Sequence, residues 1–147
     1  MPWQKIVIHH SASPAADKKG ELIDVKVIRK WHLARGWHDI GYHFVVLLDG
    51  RVEYGRPLNE RGAHCAAGNR NAYALGICLL GDFTKNVTPD RQLMGAIGLI
   101  KGLQKEYGMT SKDIELHREV PGAYTLCPGP LFPATKFRGL IREGDHK

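Results

Sequence analysis

Asp49-Gly50 constrains this chain more than any other dipeptide. It stands between the apolar run Tyr42-His43-Phe44-Val45-Val46-Leu47-Leu48 and the segment Arg51-Val52-Glu53-Tyr54. Glycine reaches the positive φ that a tight turn demands, so a hairpin of two antiparallel strands is predicted here. Around it the pattern alternates. Ile6-Val7-Ile8 is a β-branched run that reads as a buried strand, and Ala74 to Leu80, closed by Gly81, reads as another. Asp24 is placed to cap a helix whose apolar face carries Val25, Ile28 and Trp31 and which ends at Gly36. Thr88-Pro89-Asp90 opens a second helix, with Thr88 as its cap and proline at its first position. Leu93, Ala96, Ile97, Ile100, Leu103 and Tyr107 keep helical spacing up to Gly108, and Phe132 to Ile141 reads as a terminal helix. Strands interleaved with helices imply an α/β fold, a single domain over residues 1–147 with a central mixed sheet flanked by helices. Ser11 to Gly20 is expected as a surface loop bordering a groove, and Ile114 to Cys127 as mostly irregular chain beside the sheet.

Chemistry concentrates at three distant positions. His9 ends the first strand, while His117 and Cys127 lie ten residues apart near the C-terminus. Two imidazoles and a thiol form a three-ligand set for zinc that leaves one tetrahedral position for a reacting molecule. With eight histidines in the chain, spacing alone leaves a second reading open, in which His9 and Cys127 are buried and inert. His10 must point to the face opposite His9 if both lie on a strand. His32, His38 and His146 sit in polar or terminal contexts and are expected at the surface.

Composition narrows the partners. The net charge of +6 favours anionic ligands such as nucleic acid, a membrane face or an acidic wall polymer. Its lysines and arginines are scattered, however, and no aromatic-basic RNA-binding motif occurs, so nucleic acid is not expected as the primary ligand. Three cysteines cannot all pair within one chain, which argues against a disulfide framework. The segment Met1-Pro2-Trp3-Gln4-Lys5 lacks the features of a signal peptide, and no window approaches the roughly 18 apolar residues of a membrane span. Cytoplasmic synthesis and a monomer are expected.

Several blocks then carry a resemblance. Ile8-His9-His10-Ser11-Ala12 is followed by Gly36-Trp37-His38-Asp39-Ile40-Gly41-Tyr42-His43-Phe44 and Asp49-Gly50-Arg51-Val52. Next come Gly62-Ala63-His64, Asn71, Leu75-Gly76-Ile77, His117-Arg118-Glu119-Val120 and Thr125-Leu126-Cys127-Pro128-Gly129. In this order, over residues 6 to 129, they resemble the type 2 N-acetylmuramoyl-L-alanine amidase family, which includes phage zinc amidase lysozymes and the peptidoglycan recognition proteins. The resemblance implies that family's fold and one zinc ion on His9, His117 and Cys127. It implies catalytic help from Tyr42 and Thr125 and substrate contacts from His64 and Asn71. Phage lysozymes place a lysine where this chain has Thr125, a residue many recognition proteins share. Non-enzymatic recognition proteins typically lose the cysteine that is present here as Cys127.

The implied activity is zinc-dependent hydrolysis of the bond between N-acetylmuramic acid and L-alanine, as a phage or prophage endolysin acting on bacterial peptidoglycan after release from the host cytoplasm. Alternatives are a cytosolic amidase recycling muropeptides and a non-catalytic peptidoglycan-binding module. Inhibition of a phage RNA polymerase, known in the phage branch, is neither established nor excluded by these residues. Glu119 reads as a turn cap or as a partner orienting a ligand imidazole ahead of a general base. Trp37 is expected to pack beneath the Tyr42 strand, and Arg70 to be a solvated surface charge.

Overall fold

The computed structural model describes residues 3–143; His146 lies outside them. Five strands form one mixed sheet: β1 (Lys5–His10), β2 (Phe44–Val46), β3 (Val52–Tyr54), β4 (Ala74–Leu79) and β5 (Ile114–Leu116), in the order β3-β2-β4-β1-β5. β2, β4, β1 and β5 run parallel, and β3 pairs antiparallel with β2. The α-helices are α1 (Val25–Ala34), α2 (Arg70–Tyr73), α3 (Asp90–Tyr107) and α4 (Ala134–Arg142). Among the described residues no helix is long and apolar enough to cross a membrane.

Strand alternation divides the core in two. On one face Ile6, Ile8, Leu75, Ile77, Leu79, Phe44 and Val46 pack with Leu93, Ala96, Ile97 and Ile100 of α3 and Phe137 and Ile141 of α4. On the other, Val45, Leu47 and Leu80 meet Val25 and Ile28 of α1, while Val7 and Ala74 meet Cys65 and Val120. Both faces being covered explains why the central strands read as continuous apolar runs. Buried Gln92 of α3 donates from Nε2 to Val46 O (3.1 Å) and Leu80 O (2.8 Å), tying the helix to the ends of two strands.

Local signals act as the sequence implies at most element ends. Asp24 accepts a hydrogen bond from Val27 N at 3.2 Å and caps α1. Gly50 takes φ 93° in the hairpin turn, and Gly108 takes φ 68° at the end of α3. Four expectations fail, each for a tertiary reason. α3 begins without a side-chain cap: Pro89 O accepts the first helical bond from Leu93 N, and the buried Thr88 hydroxyl has no partner among the described residues. Trp31 is 40% exposed, and its place in the buried face of α1 is taken by His32. His32 is therefore not a surface residue; its Nδ1 accepts from Gly41 N at 2.9 Å, and burial, with Arg35 and Arg56 nearby, brings its pKa down to about 4. Arg70 is buried in a two-pronged ion pair with Glu115 (2.7 and 2.8 Å) and is no solvated charge. The segment from Ile114 to Cys127 is mostly irregular, as expected, but Ile114-Glu115-Leu116 at its start adds the edge strand β5 beside β1. His38 is exposed, 3.0 Å from Glu60.

Candidate metal centre

The new edge strand builds the site. β1 and β5 pair in parallel register, Ile6 with Ile114 and Ile8 with Leu116. The next residue of each, His9 and His117, therefore emerges side by side at the carboxyl ends of two parallel strands, where α/β sheets commonly place ligands. Their rings lie 4.5 Å apart, centroid to centroid. The loop after His117 folds back on itself: Arg118 N donates to Cys127 O (2.8 Å) and Arg118 Nη1 to Gly129 O (2.9 Å). Glu119 caps the turn, accepting from Leu116 N at 2.8 Å and pairing with Arg138. Those contacts occupy it as a structural carboxylate. Cys127 thereby reaches β1, its Sγ 3.8 Å from His9 Nδ1 and 3.3 Å from the donating His10 N.

One ligand atom each from His9, His117 and Cys127 fall within 4.8 Å of one another. Tetrahedral zinc with bonds of about 2.0–2.3 Å needs ligand atoms about 3.3–3.6 Å apart, so small side-chain movements suffice. Among the described residues the buried His117 Nδ1 has no hydrogen-bond partner, which is costly unless something else satisfies it. Burial, with His64, His117 and His10 close by, holds the His9 pKa well below 6.5; burial and His10 also lower that of His117. Both imidazoles are thus neutral and able to ligate near pH 7. Burial pushes the Cys127 thiol up to about 12, against the opposing pull of the His10 amide and Arg118. Without a cation this cysteine stays protonated, and metal binding there must release a proton. The donor set and its geometry fit zinc.

Tyr42 flanks the trio, its ring 5.1 Å from that of His9. Burial, then the nearby Cys78 and Cys127 and a hydrogen bond with Cys78, raises its pKa well above 10, so the phenol keeps its proton. Thr125 Oγ1 accepts from Cys127 N at 3.1 Å, shaping the turn that presents the thiol. His64 and Asn71, expected to contact substrate, are also engaged with protein atoms. His64 Nδ1 lies 2.9 Å from His9 Nε2 and its Nε2 lies 3.0 Å from Ala74 O, while Asn71 Oδ1 accepts from His64 N and Cys65 N. Burial brings the His64 pKa down to about 3, with the Ala74 contact opposing and His43, His117 and Arg56 reinforcing it.

Residues 1–130 match the N-acetylmuramoyl-L-alanine amidase family. The chain belongs to that family. It is 35% identical to the endolysin of Escherichia phage T7, over 84% of this chain and 78% of that one. It is 37% identical to peptidoglycan-recognition protein SC2 of Drosophila simulans, over 84% and 66% respectively. Among solved structures, the endolysin amidase LysCS from Clostridium intestinale superimposes with a TM-score of 0.80 at 32% identity, covering 95% of this chain and 83% of that one.

The rim of this amidase-family site is uneven. Tyr124 and Leu126, on either side of Thr125, are both exposed, whereas Trp37 packs against His32 at 4.6 Å and against Gly41. Ala12 to Ala15 do border a cleft, of about 490 Å³, but they share it with Leu80 to Phe83 and Lys85 to Val87 and with none of the ligand trio. Cys65, Cys78 and Cys127 are all unpaired. Sequence reasoning missed Cys78 as a neighbour of Tyr42. The parallel register that sets Cys78 beside both His9 and Val45 has no local signal.

Proposed function

We propose that the protein hydrolyses the amide joining N-acetylmuramic acid to L-alanine in peptidoglycan, with zinc held by His9, His117 and Cys127, and that it serves as a phage or prophage endolysin. The observation that carries this reading is the convergence of one ligand atom each from His9, His117 and Cys127 to within 4.8 Å of one another. Family membership and the phage relatives support the substrate and the role. When bound, zinc supplies Lewis acidity, polarising the scissile carbonyl and bringing the pKa of a coordinated water down to about 7.

The chain's own groups do the remainder. Tyr42, held protonated by burial, donates a hydrogen bond to the oxyanion that forms as water adds to the carbonyl. Thr125 uses its oxygen to fix Cys127 and retains one O–H to offer to the substrate oxygen or the attacking water. Addition of water forms the new C–O bond and opens the carbonyl, and collapse of that adduct re-forms the carbonyl and breaks C–N. The lactyl group leaves as a carboxylate and L-alanine as a free amine that takes up a proton. His64 and Asn71 support the site through their contacts with His9, Ala74, Cys65 and one another. The net charge of +6 favours residence on an anionic wall.

Similarity to recognition proteins supports a second reading, peptidoglycan binding without cleavage. The complete ligand set favours hydrolysis. Incubating purified protein with peptidoglycan, with and without a zinc chelator, separates the two. New L-alanine amino groups that vanish on chelation and return with zinc are expected; tight wall binding by an inactive, zinc-free protein would establish the alternative. Comparing intact sacculi with soluble muropeptides distinguishes lysis from recycling.

A further inference from the structure

His64 fills a slot made for a flat ring. A Cβ on Gly76 of β4 would stand 2.5 Å from its Cγ and Cδ2, and one on Gly62 2.4 Å from the same Cδ2. Two glycines thus open the room the imidazole occupies, and Asn71 Oδ1, accepting from His64 N at 2.7 Å, pins the loop that delivers it. The ring's hydrogen-bond direction is then dictated from outside. Ala74 O can only accept, so the nitrogen 3.0 Å away, His64 Nε2, carries the hydrogen. A neutral imidazole has one such hydrogen, leaving His64 Nδ1 as an acceptor. It faces His9 Nε2 at 2.9 Å, so His9 must donate from Nε2. The lone pair of His9 is left on Nδ1, the atom 3.8 Å from Cys127 Sγ.

We propose that His64 is a positioning residue for the metal centre: relayed from Ala74 O, it locks the tautomer and rotation of His9 so that Nδ1 faces the other two ligand atoms, and Gly62, Gly76 and Asn71 are there to seat it. Ligand imidazoles generally need such a partner on the second nitrogen, and its loss typically lowers metal affinity about 10–100-fold. The proposal rests on the zinc reading above for its consequence, though not for its geometry.

Two variants separate orientation from packing. In His64→Asn the amide oxygen sits one bond from Cγ, as Nδ1 does, and keeps an acceptor toward His9. In His64→Gln the terminal amide reaches toward Ala74 O and the acceptor at His9 is lost. Zinc dissociation constants measured by chelator competition are expected to rise about 10–100-fold for His64→Gln and to stay within about threefold of wild type for His64→Asn. Equal weakening in both, or none in His64→Gln, overturns the proposal. A second measurement needs no variant and no metal. In the nitrogen NMR spectrum of the metal-free protein, His9 and His64 should each be locked with hydrogen on Nε2. Hydrogen on His9 Nδ1, or either ring averaging between tautomers, overturns it as well. If wild-type protein binds no zinc at all, the metal reading falls, and the tautomer spectrum alone decides the role of His64.

Discussion

On one face of β1, Ile6 and Ile8 are sealed beneath α3 and α4 by aliphatic and aromatic side chains. On the other, Val7 gives way to His9, whose neighbours are His64, His117, Tyr42 and Cys127. The first face needs only shape and volume, and each methylene there contributes about 0.8 kcal/mol by leaving water. The second buries neutral imidazoles, a phenol and thiols, groups that are stable inside a protein only when each polar atom has a partner. The contrast teaches that a single strand can divide its labour by residue parity. Changes on the His9 face should silence the site with little loss of fold, and changes on the Ile8 face should do the reverse.

The severest test of that division is Cys127→Ser. A hydroxyl is a poor zinc ligand, so metal retention and amidase turnover are expected to vanish, while the thermal midpoint in chelator stays close to wild type. Lysis at the normal rate would remove Cys127 from the ligand set. Tyr42→Phe is expected to come next. It removes one donor to the oxyanion and should lower kcat about 10²–10³-fold, or about 2.7–4 kcal/mol, with zinc content unchanged. An undiminished rate would mark the phenol as a packing group.

How much of this arrangement is legible in the sequence depends on how local its cause is. Asp24, Gly50 and Gly108 act within a few residues of themselves, and the elements they bound fall where the pattern places them. β5 is three residues long and is a strand only because β1 lies beside it. Arg70 reads as a surface charge until Glu115, 45 positions away, closes on it. His32 reads as polar surface until the chain returns at Gly41 to supply its ring with a donor. In the candidate site, the proposed ligand trio is suggested by motif resemblance and its three side chains do converge, but the direction of each imidazole is not legible. That direction comes from Ala74 O and the two glycines around His64, which meet only in the folded sheet.

Acid should destabilise the fold through its buried histidines. Burial is the leading cause that keeps His9, His10, His32, His43, His64 and His117 below the ordinary histidine value, with His32 at about 4 and His64 at about 3. In the unfolded chain they titrate near 6.5. Below that pH the unfolded state takes up protons that the folded state refuses, so stability present above about pH 6.5 is lost as pH falls toward 4 and 3. The metal-free thermal midpoint should hold steady near neutrality and decline through this window. A midpoint unchanged between pH 7 and pH 4 would mean that these rings are more open to water than the packing shows.

The smallest effect is expected from Ile8→Val, and it is the sharpest probe of whether the two faces are separable. Ile8 is fully buried among the residues beneath α3 and α4, next in sequence to His9 but pointing the opposite way. Removing one methylene should cost about 0.5–1.5 kcal/mol and lower the thermal midpoint by about 2–5 °C. The branched β-carbon is kept, so backbone preference on the strand is unaltered. The register between Ile8 and Leu116, which sets His9 beside His117, should therefore survive. Zinc affinity and kcat, measured well below the midpoint, are expected to match wild type. A fall in zinc affinity with so small a loss of stability would show that packing beneath the strand is transmitted through the backbone to the ligand nitrogen, and that parity alone does not insulate the site from the core.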